Sequence, residues 1–471
     1  MTAATAWIRA LPGRYGRRTL IALAVIAALG LGLRAYAVVH PVANPADDSH
    51  AYFALAKALY EEGSYGGPEF RDTSDWSPGA PLLYAASFFL TGGAREGTAR
   101  IVEALMGTAA ILVVFALGAR LARGSGRDQI SPLARLTGLF AAFAVAVYPP
   151  FIHSTGELMS EPPAILTLPA AVLAFLWAGE KERWWAWLAP GLLFGLTAMF
   201  RPEYLFVAAL FVVLAAIRLW PRRGPRPALT GAGALLVALL VAIVPWTVRN
   251  LVVLDRLVPI STGSGKALYV GTFYPADGEY QRVKAILYQR YTGKDLAPDS
   301  EALNAVSPTP LFDRVANEYK AEQGEPDLPR DSALGKLGKE NFSDYFGEDP
   351  LGYLGMTARK VGRMWSSGVG EAMSSTPGRA FQLLLVFGGL AGFVLLGVRR
   401  RWWEVVALAT PIVVVTAVGA ISLAAPRRNE VLMTLVFPLA ALALASAASA
   451  LSSRREWSPP RSPSEASSRP N

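Results

Sequence analysis

Residues 20–52 read LIALAVIAALGLGLRAYAVVHPVANPADDSHAY. The first 20 residues of this stretch carry one charge, Arg34, and about 20 mostly apolar residues are enough to cross a bilayer as a helix. Two adjacent carboxylates, Asp47 and Asp48, follow soon after the apolar run ends. We therefore predict a mainly α-helical, polytopic membrane protein with about ten transmembrane helices. The predicted spans are 20–39, 101–119, 134–151, 162–178, 185–200, 202–217, 228–247, 380–398, 402–425 and 430–450.

The composition supports a membrane protein and excludes several kinds of chemistry. Of the 471 residues, 52% are hydrophobic and 17% are charged, whereas about 25% are charged in soluble domains. The chain has no cysteine, which excludes disulfides, thiolate metal sites and a cysteine nucleophile. It has only 3 histidines, so a metal site with several histidine ligands is not expected.

The distribution of Lys and Arg predicts the orientation. The loops on the side of the two termini carry 21 basic and 6 acidic residues, and the rest of the chain is net negative. Cytoplasmic loops of membrane proteins are enriched in Lys and Arg, so we expect both termini to be cytoplasmic in a multi-pass protein of the plasma (inner) membrane. The net charge of +9 therefore reflects topology, and no nucleic-acid partner is expected.

These spans divide the chain into regions. The pair 185–200 and 202–217 is interrupted by Arg201-Pro202 and is either two short spans or one re-entrant unit. We expect a mixed α/β fold for the outer region, which contains helical patterns such as 311–322 and a strand-like run, Leu268-Tyr269-Val270. The predicted regions are a cytoplasmic N-terminus (1–19), a transmembrane bundle (20–250) with a first outer loop (40–100), an outer soluble domain (251–379), C-terminal transmembrane helices (380–450) and a disordered cytoplasmic tail (451–471).

One segment of the outer domain has the pattern of a helix that lies at the membrane surface. Between Pro350 and Trp365 the apolar residues fall on one helical face, and Arg359, Lys360 and Arg363 fall elsewhere. Such a helix either contacts lipid or packs under the outer domain.

Asp47 and Asp48 are the first candidates for catalysis. An amphipathic helix follows them, with Tyr52 on its apolar face. Neighbouring carboxylates raise each other's pKa, and a carboxylate tuned in this way can act as a general base. The alternative interpretation is a helix N-cap, a position that Asp favours.

Arginines at the outer ends of several spans indicate an anion site. A single interfacial arginine often only extends its charged end towards water, but several at one membrane face suggest a bound phosphate, which the guanidinium fork matches. The candidate phosphate ligands are Arg34, Arg201, Arg249 and Arg427.

A second acidic group follows the third span. His153, Glu157 and Glu161 lie close in sequence, and Glu157 and Glu161 can share one helical face. Together with Tyr52, these residues are candidates for binding an acceptor or a sugar. A weak Mg, Ca or Mn site is conceivable from such oxygen ligands, but no ligand spacing is diagnostic and no metal or other cofactor is expected. The sequence has no Walker loop, dinucleotide fingerprint or Ser/His/Asp pattern.

Taken in order, these motifs resemble the glycosyltransferase-C superfamily. More closely, they are similar to the bacterial group, glycosyltransferase family 39-like, that is related to protein O-mannosyltransferases and the aminoarabinose transferase of lipid A. The resemblance covers nearly the whole chain. It rests on Asp47-Asp48 with Tyr52, Ser77-Pro78-Gly79 with Pro81, Glu157 to Glu161, Arg201-Pro202, Pro245 to Asn250, Ile260 to Gly271, and Arg427-Arg428 followed by Pro438.

The resemblance implies a glycosyltransferase that moves a sugar from a polyprenyl monophosphate to an acceptor hydroxyl, with inversion, at the outer face. Partners would be the lipid-linked sugar, membrane lipid and a glycan, lipid or protein acceptor. By the family pattern Asp47 is the base, with Asp48 as the alternative, and arginines stabilise the departing phosphate. A monophosphate donor does not demand a divalent metal. Family members often carry Lys before the Pro-Gly turn, where this chain has Trp76-Ser77.

Two other functions fit parts of the pattern. A transporter or flippase for a lipid-linked sugar would need similar arginines, but no internal repeat is visible. A non-catalytic membrane scaffold would not need Asp47 or Arg201. The sugar, the acceptor, the linkage and the oligomeric state stay open.

Overall fold

The computed structural model describes residues 13, 15–42, 47–66, 74–123, 130–181 and 183–456, without the side chains of Asp47 and of residues 453–456. Most of the predicted disordered tail, and the side chain of the predicted base Asp47, therefore lie outside the described residues. Up to Leu254 the helices are α1 (Arg17–Val39), α2 (Asp47–Glu61), α3 (Gly79–Thr91), α4 (Glu96–Leu121), α5 (Pro132–Val147), α6 (Pro149–Glu157), α7 (Glu161–Ala178), α8 (Leu188–Phe200), α9 (Tyr204–Arg223) and α10 (Pro225–Leu254).

The rest of the described chain is also helical. Helices α11 to α17 belong to the predicted outer domain, and α18 to α20 are apolar and long. Their bounds are α11 (Ser264–Thr272), α12 (Tyr280–Thr292), α13 (Glu301–Asn304), α14 (Thr309–Gln323), α15 (Arg330–Glu348), α16 (Pro350–Ser366), α17 (Glu371–Ser374), α18 (Thr376–Val398), α19 (Trp402–Ile421) and α20 (Pro426–Glu456).

Among the described residues, 8 helices are long and apolar enough to cross a membrane, which confirms the polytopic prediction. They are α1, α4, α7, α9, α10, α18, α19 and α20. The predicted span 134–151 corresponds to α5 and α6, which meet at an angle of 43° and would make a ninth span if counted as one. The bend falls at Pro149-Pro150, where proline removes backbone donors and interrupts the helix.

The two members of the predicted pair 185–200 and 202–217 differ in length in the structure. Helix α9 spans Tyr204–Arg223 and is one of the long apolar helices, whereas Trp184–Phe200 is apolar but shorter. The expectation of about ten spans was therefore slightly high. Arg201-Pro202 marks a real break, because proline disfavours helical geometry at the preceding residue and Arg201 is extended, with φ −139° and ψ 99°.

Helix α20 lies at the centre of the bundle. It packs against α4, α5, α7 and α18, and nearly every side chain from Val431 to Leu439 is buried. Glycines allow close packing here: a Cβ at Gly392 of α18 would lie 2.3 Å from the carbonyl oxygen of Leu439. The first residues of α20, including Arg427, are thereby held at one end of the bundle.

The outer domain is all helical in its described residues, so the predicted mixed α/β fold is wrong. The strand-like run Leu268-Tyr269-Val270 lies within α11. Helix α11 packs against α15, and Gly265 of α11 and Gly338 of α15 permit an approach too close for any Cβ. Tertiary packing of this kind overrides the β preference of Tyr and Val. The buried core of the domain includes Tyr269, Val270, Phe312 and Leu334.

Helix α16 has the amphipathic pattern predicted for it, but the face that packs is not the predicted one. Tyr353, Met356, Lys360 and Met364 are buried, while Leu351 is 82% exposed. The start of the apolar face predicted from the sequence, Leu351 and Leu354, is therefore uncovered by the protein, whereas Trp365 at its other end packs against the bundle.

Candidate active site

Five charged side chains from four separate parts of the chain meet at one end of the bundle. We call them the acid–arginine cluster: Asp48, Glu161, Arg201, Glu203 and Arg427. Asp48 lies in the first turn of α2, Glu161 begins α7, Arg201 and Glu203 lie in the break between α8 and α9, and Arg427 lies in the first turn of α20. Each helix end thus delivers its charge to one place.

Arg427 connects two carboxylates, Asp48 and Glu161, that are far apart in sequence. Its Nη1 donates to Asp48 Oδ2 at 2.8 Å, and its Nε donates to Glu161 Oε1 at 2.8 Å. Glu161 is 1% exposed and also accepts a hydrogen bond from Arg201 Nη1 at 2.5 Å. Arg201 Nη2 in turn donates to Glu203 Oε1 at 2.8 Å. The result is a continuous network of charge-assisted hydrogen bonds.

The charged residues Asp48, Glu161 and Arg427 all lie at the N-terminal ends of helices, where the helix dipole acts on them. Asp48 and Glu161 lie in the first turns of α2 and α7, where the helix dipole favours negative charge. Arg427 and Arg428 lie in the first turn of α20, where the dipole disfavours positive charge. That turn therefore combines two guanidiniums with the positive end of a helix dipole, a combination that attracts anions. Nη1 of Arg428 has no hydrogen-bond partner among the described residues.

The first outer loop is fixed against the bundle beside the cluster. Trp76 Nε1 donates to Asp48 Oδ1 at 3.0 Å, and Ser77 Oγ donates to the carbonyl of Phe200 at 2.7 Å. A Cβ at Gly79 would lie 2.7 Å from the carbonyl oxygen of Met199, so only glycine fits there. The Trp76 to Gly79 turn therefore positions Asp48 next to the Arg201 break.

Nearby positive charges keep the carboxylates of Asp48 and Glu203 ionised. Burial alone would raise the pKa of Asp48, but the charges of Arg427 and Lys266 and the hydrogen bonds from Arg427 and Trp76 outweigh it and lower this pKa below its usual value. In the same way burial opposes ionisation of Glu203, but the charges of Arg201 and Arg428 lower its pKa to about 2. The Asp48 side chain remains 37% exposed, so a substrate can reach it.

Tyr52 lies beside the cluster. It is 5% exposed on α2, and burial, together with the charges of Asp48 and Glu161, raises the pKa of Tyr52 to about 12. Its hydroxyl therefore stays protonated near neutral pH and is available as a hydrogen-bond donor.

His153 and Glu157 form a separate pair, with 3.5 Å between His153 Nε2 and Glu157 Oε1. Ser154 next to them donates to Glu430 of α20, one turn after Arg427. Glu161 is instead held by the two arginines. Groups of three or more metal-binding side chains do not occur in the part of the chain that the structure describes, so the conceivable site from His153, Glu157 and Glu161 does not form.

Two of the predicted phosphate ligands are placed elsewhere. Arg34 is completely buried and donates to the carbonyl oxygens of Gly30, Ala146 and Val145, so its guanidinium serves the C-terminal end of α5. Arg249 donates to the carbonyl of Tyr65 at 2.7 Å and stacks over that ring. Arg249 therefore holds the first outer loop.

Several polar groups of this region were not predicted as site residues. Glu203, Arg428 and Glu430 join or adjoin the cluster, and all three are charged residues beside predicted ones at the mouth of an apolar run. Glu103, completely buried near the start of α4, accepts hydrogen bonds from the Tyr84 hydroxyl and from the backbone of Met159. A lone acid at the edge of the apolar run 101–119 was the available signal.

A family model described as dolichyl-phosphate-mannose-protein mannosyltransferase matches residues 75–247. This range contains Trp76, Glu161, Arg201 and Glu203, but not Asp48 or Arg427. No curated protein matches the chain.

Similar solved structures include the apo oligosaccharyltransferase of Archaeoglobus fulgidus, with 15% identity, a TM-score of 0.52, and coverage of 93% of this chain and 51% of that chain. The same archaeal protein, AglB, in complex with an inhibitory peptide and a dolichol-phosphate, matches with 15% identity, a TM-score of 0.51 and coverage of 93% and 51%. ArnT from Cupriavidus metallidurans bound to undecaprenyl phosphate matches with 12% identity, a TM-score of 0.40 and coverage of 93% and 81%.

This chain spans about half the length of the archaeal oligosaccharyltransferase that it matches. The likeness of these structures concerns the arrangement of the helices. The arrangement of the helices is similar to that of the archaeal oligosaccharyltransferase, and residues 75–247 are similar to the mannosyltransferase family, in agreement with the resemblance seen in the sequence.

Proposed function

We propose that the chain is a membrane glycosyltransferase that moves a sugar from a polyprenyl phosphate to an acceptor hydroxyl. The observation that carries the proposal is the acid–arginine cluster, which joins a partly exposed carboxylate, Asp48, to guanidiniums at the start of α20. Support also comes from AglB, which shares the fold and was solved with a dolichol-phosphate.

The donor phosphate binds at the start of α20. Arg428 offers an Nη1 donor without a partner among the described residues, and Arg427 lies beside it in the same turn. Phosphate gains charge-assisted hydrogen bonds there and the favourable end of the helix dipole. Arg201 adds a third positive charge next to Arg428.

The polyprenyl chain lies in an apolar groove of 490 Å³ between α18, α19 and α20. Leu439 lines this groove, and it follows Arg428 by 11 residues on α20. Eleven residues are close to three helical turns, so both side chains lie on one face of α20, about 16 Å apart. A lipid with its phosphate at Arg428 and its tail in the groove would use that face.

Asp48 is the general base in this mechanism. Phosphate that draws Arg427 away from Asp48 removes the main charge that lowers the pKa of this carboxylate, so donor binding makes Asp48 more basic. Asp48 then takes the proton of the acceptor hydroxyl while the hydroxyl oxygen bonds to the anomeric carbon. The bond from that carbon to the phosphate oxygen breaks on the opposite face, its electron pair leaves with the polyprenyl phosphate, and the configuration inverts.

The remaining residues have supporting roles. Glu161 holds Arg201 and Arg427 in place, and Tyr52, His153 and Glu157 are available to bind the acceptor or the sugar. The reaction faces the outside of the plasma membrane if both termini are cytoplasmic, as the Lys and Arg distribution predicts.

The test is a comparison of two neighbouring variants. Purified protein is incubated with a panel of polyprenyl-phosphate sugars, and release of free polyprenyl phosphate is measured. We expect Asp48→Asn to lower the rate by about 10²–10⁴ with donor affinity retained, because the amide keeps the shape and loses the basicity. Asp47→Asn, one residue away, is measured beside it and tells which of the two neighbouring carboxylates acts as the base.

The results for the two variants decide which residue is the general base. Loss of turnover only in Asp47→Asn returns the base to the residue that the family pattern predicts. Full activity in both variants removes the proposed mechanism and favours a transporter or a scaffold. Arg428→Gln is expected to weaken donor affinity and turnover together, because the phosphate charge is present in both the ground state and the transition state.

A further inference from the structure

A second charged site lies at the opposite end of the bundle. Glu161 begins α7 in the acid–arginine cluster, and Glu180 follows the end of the same helix, which has 18 residues and is about 27 Å long at 1.5 Å per residue. Glu180 lines a cavity of 370 Å³ whose wall contains six arginines and two glutamates. The arginines are Arg120, Arg123, Arg218, Arg222, Arg400 and Arg401.

Two of these arginines, Arg120 and Arg401, have partners within the protein. Arg401 Nη1 donates to the carbonyls of Arg120, Leu121 and Arg123 at the end of α4, and its Nη2 pairs with Glu404. Arg120 pairs with Glu180, with 2.7 Å between Nη2 and Oε1. Both glutamates of the cavity are therefore already occupied.

Three of the remaining arginines, Arg218, Arg222 and Arg400, form no ion pair with a carboxylate of the described residues. Arg218 is 8% exposed and stacks on the Trp403 ring at 4.9 Å, and its Nε and Nη1 have no hydrogen-bond partner among the described residues. Within the same part of the chain, no hydrogen bond or ion pair holds the side chain of Arg222 or of Arg400. Arg222 and Arg400 are exposed, but Arg218 is buried, and a buried guanidinium without partners is costly, so the site favours an anion beside Arg218.

The backbone of Arg400, at the same end of the bundle, has a strained conformation. Arg400 has a φ of 55°, in the left-handed region that glycine favours. The backbone N–H of Arg400 bonds to Gly397 and that of Arg401 to Leu396, the pattern that closes helices with a glycine at this position. An arginine held there in place of glycine costs stability and points to a use for its side chain.

Tryptophans place the cavity at the depth of lipid headgroups. Trp is enriched where the bilayer meets water. Trp402 lines the cavity and is 61% exposed, and other exposed tryptophans lie at the same end of the bundle: Trp184, Trp185 and Trp220.

We propose that this cavity binds the phosphate group of an anionic membrane lipid, which ties α4, α7, α9 and α19 together at that end. Arg218, Arg222 and Arg400 supply the donors, and the tryptophans contact the upper part of the acyl chains. Basic pockets between transmembrane helices are known to hold such headgroups. The proposal does not depend on the transferase activity, since the cavity and the acid–arginine cluster are at opposite ends.

The first experiment separates a lipid from a free anion. The full chain, purified in detergent and stripped of lipid, is titrated with phosphatidylglycerol, phosphatidylcholine or inorganic phosphate while its melting temperature is followed. Native mass spectrometry counts the bound lipids. We expect phosphatidylglycerol alone to bind and to raise the melting temperature. An equal shift with phosphatidylcholine, or with inorganic phosphate at the same concentration, would overturn the assignment to an anionic lipid.

The second experiment uses variants of the cavity wall. Arg400→Gly removes a guanidinium and suits the left-handed backbone, so the fold is retained, and we expect affinity for phosphatidylglycerol to fall about tenfold or more. Arg218→Gln should act in the same direction. The matched control is Arg226→Gln, which removes an exposed arginine at the same end that does not line the cavity. Unchanged affinity in Arg400→Gly, or an equal loss in Arg226→Gln, contradicts the proposal.

Discussion

Glu161 is the residue on which the acid–arginine cluster depends. It is 1% exposed, accepts hydrogen bonds from both Arg201 and Arg427, and begins α7, where the helix dipole favours its charge. Charges as deeply buried as this are tolerated only while their partners are complete. The carboxylate therefore holds together two arginines that come from distant parts of the chain.

Replacing Glu161 by Gln should destabilise the protein. The change leaves two arginines short of a carboxylate, and loss of one partner from a buried ion pair typically costs about 3–5 kcal/mol. The melting temperature in detergent is the measurement. Glu96→Gln is the control, because Glu96 pairs with Arg100 while 50% exposed and should have little effect. Equal melting temperatures for Glu161→Gln and the parent protein would show that the cluster does not depend on Glu161.

At the scale of elements, α16 joins the outer domain to the bundle. Lys360 is completely buried, and its Nζ donates to the carbonyls of Gly271 at the end of α11 and Ser422 at the end of α19. Gly271 packs so closely on Ser422 that a Cβ there would lie 2.1 Å from the Ser422 carbonyl carbon. On the other side Leu351 and Leu354 are exposed, so we propose that this face of α16 contacts lipid.

Lys360 should make stability depend on alkaline pH. Burial, followed by the charges of Arg428 and Arg363, lowers the pKa of Lys360 from 10.5 to about 8. Above pH 8 the native state loses the proton first, while the unfolded chain keeps it up to about pH 10.5. The free energy of unfolding should therefore rise between these pH values, by up to about 3 kcal/mol, and the contribution is lost again as the pH falls through 8.

The measurement is thermal unfolding in detergent from pH 7 to pH 10 for the parent protein and Lys360→Met. The variant should lack the alkaline gain, whereas Lys57→Met, at a lysine whose side chain is 52% exposed, should keep it. The same pH dependence in the parent protein and Lys360→Met would mean that Lys360 does not titrate as argued.

At the scale of the whole molecule, the two ends of the bundle differ in chemistry. One end pairs its arginines with Asp48, Glu161 and Glu203, and the other has more arginines than acids in its cavity wall. This difference agrees with the distribution of Lys and Arg along the sequence. It predicts that the end with the unbalanced arginines faces the cytoplasm.

Single cysteines can test this orientation, because the chain has none of its own. Ala302→Cys, at an exposed site in the outer domain, should react with a membrane-impermeant thiol reagent in intact cells. Ser464→Cys, in the C-terminal tail, should react only after the membrane is opened. Labelling of Ser464→Cys in intact cells would reverse the predicted topology and place the acid–arginine cluster at the cytoplasmic face.

The sequence alone determined the class of the protein and most of its spans, because the length of an apolar run depends only on the thickness of the bilayer. It also singled out Asp48, Glu161, Arg201 and Arg427, since charges at the ends of apolar runs are costly without a use. A short run such as Leu268-Tyr269-Val270 was misread because its β preference is weaker than the packing of α11 on α15.

Only the tertiary structure decided which charges meet. Arg34 and Arg427 look alike as arginines beside apolar runs, yet Arg34 bonds to carbonyls at the end of α5 and Arg427 to two carboxylates. Asp48 and Arg427 are separated by 379 residues, and no local pattern relates them. Their contact follows from the packing of α20 at the centre of the bundle, because a side chain's partner is set by where helices end in space.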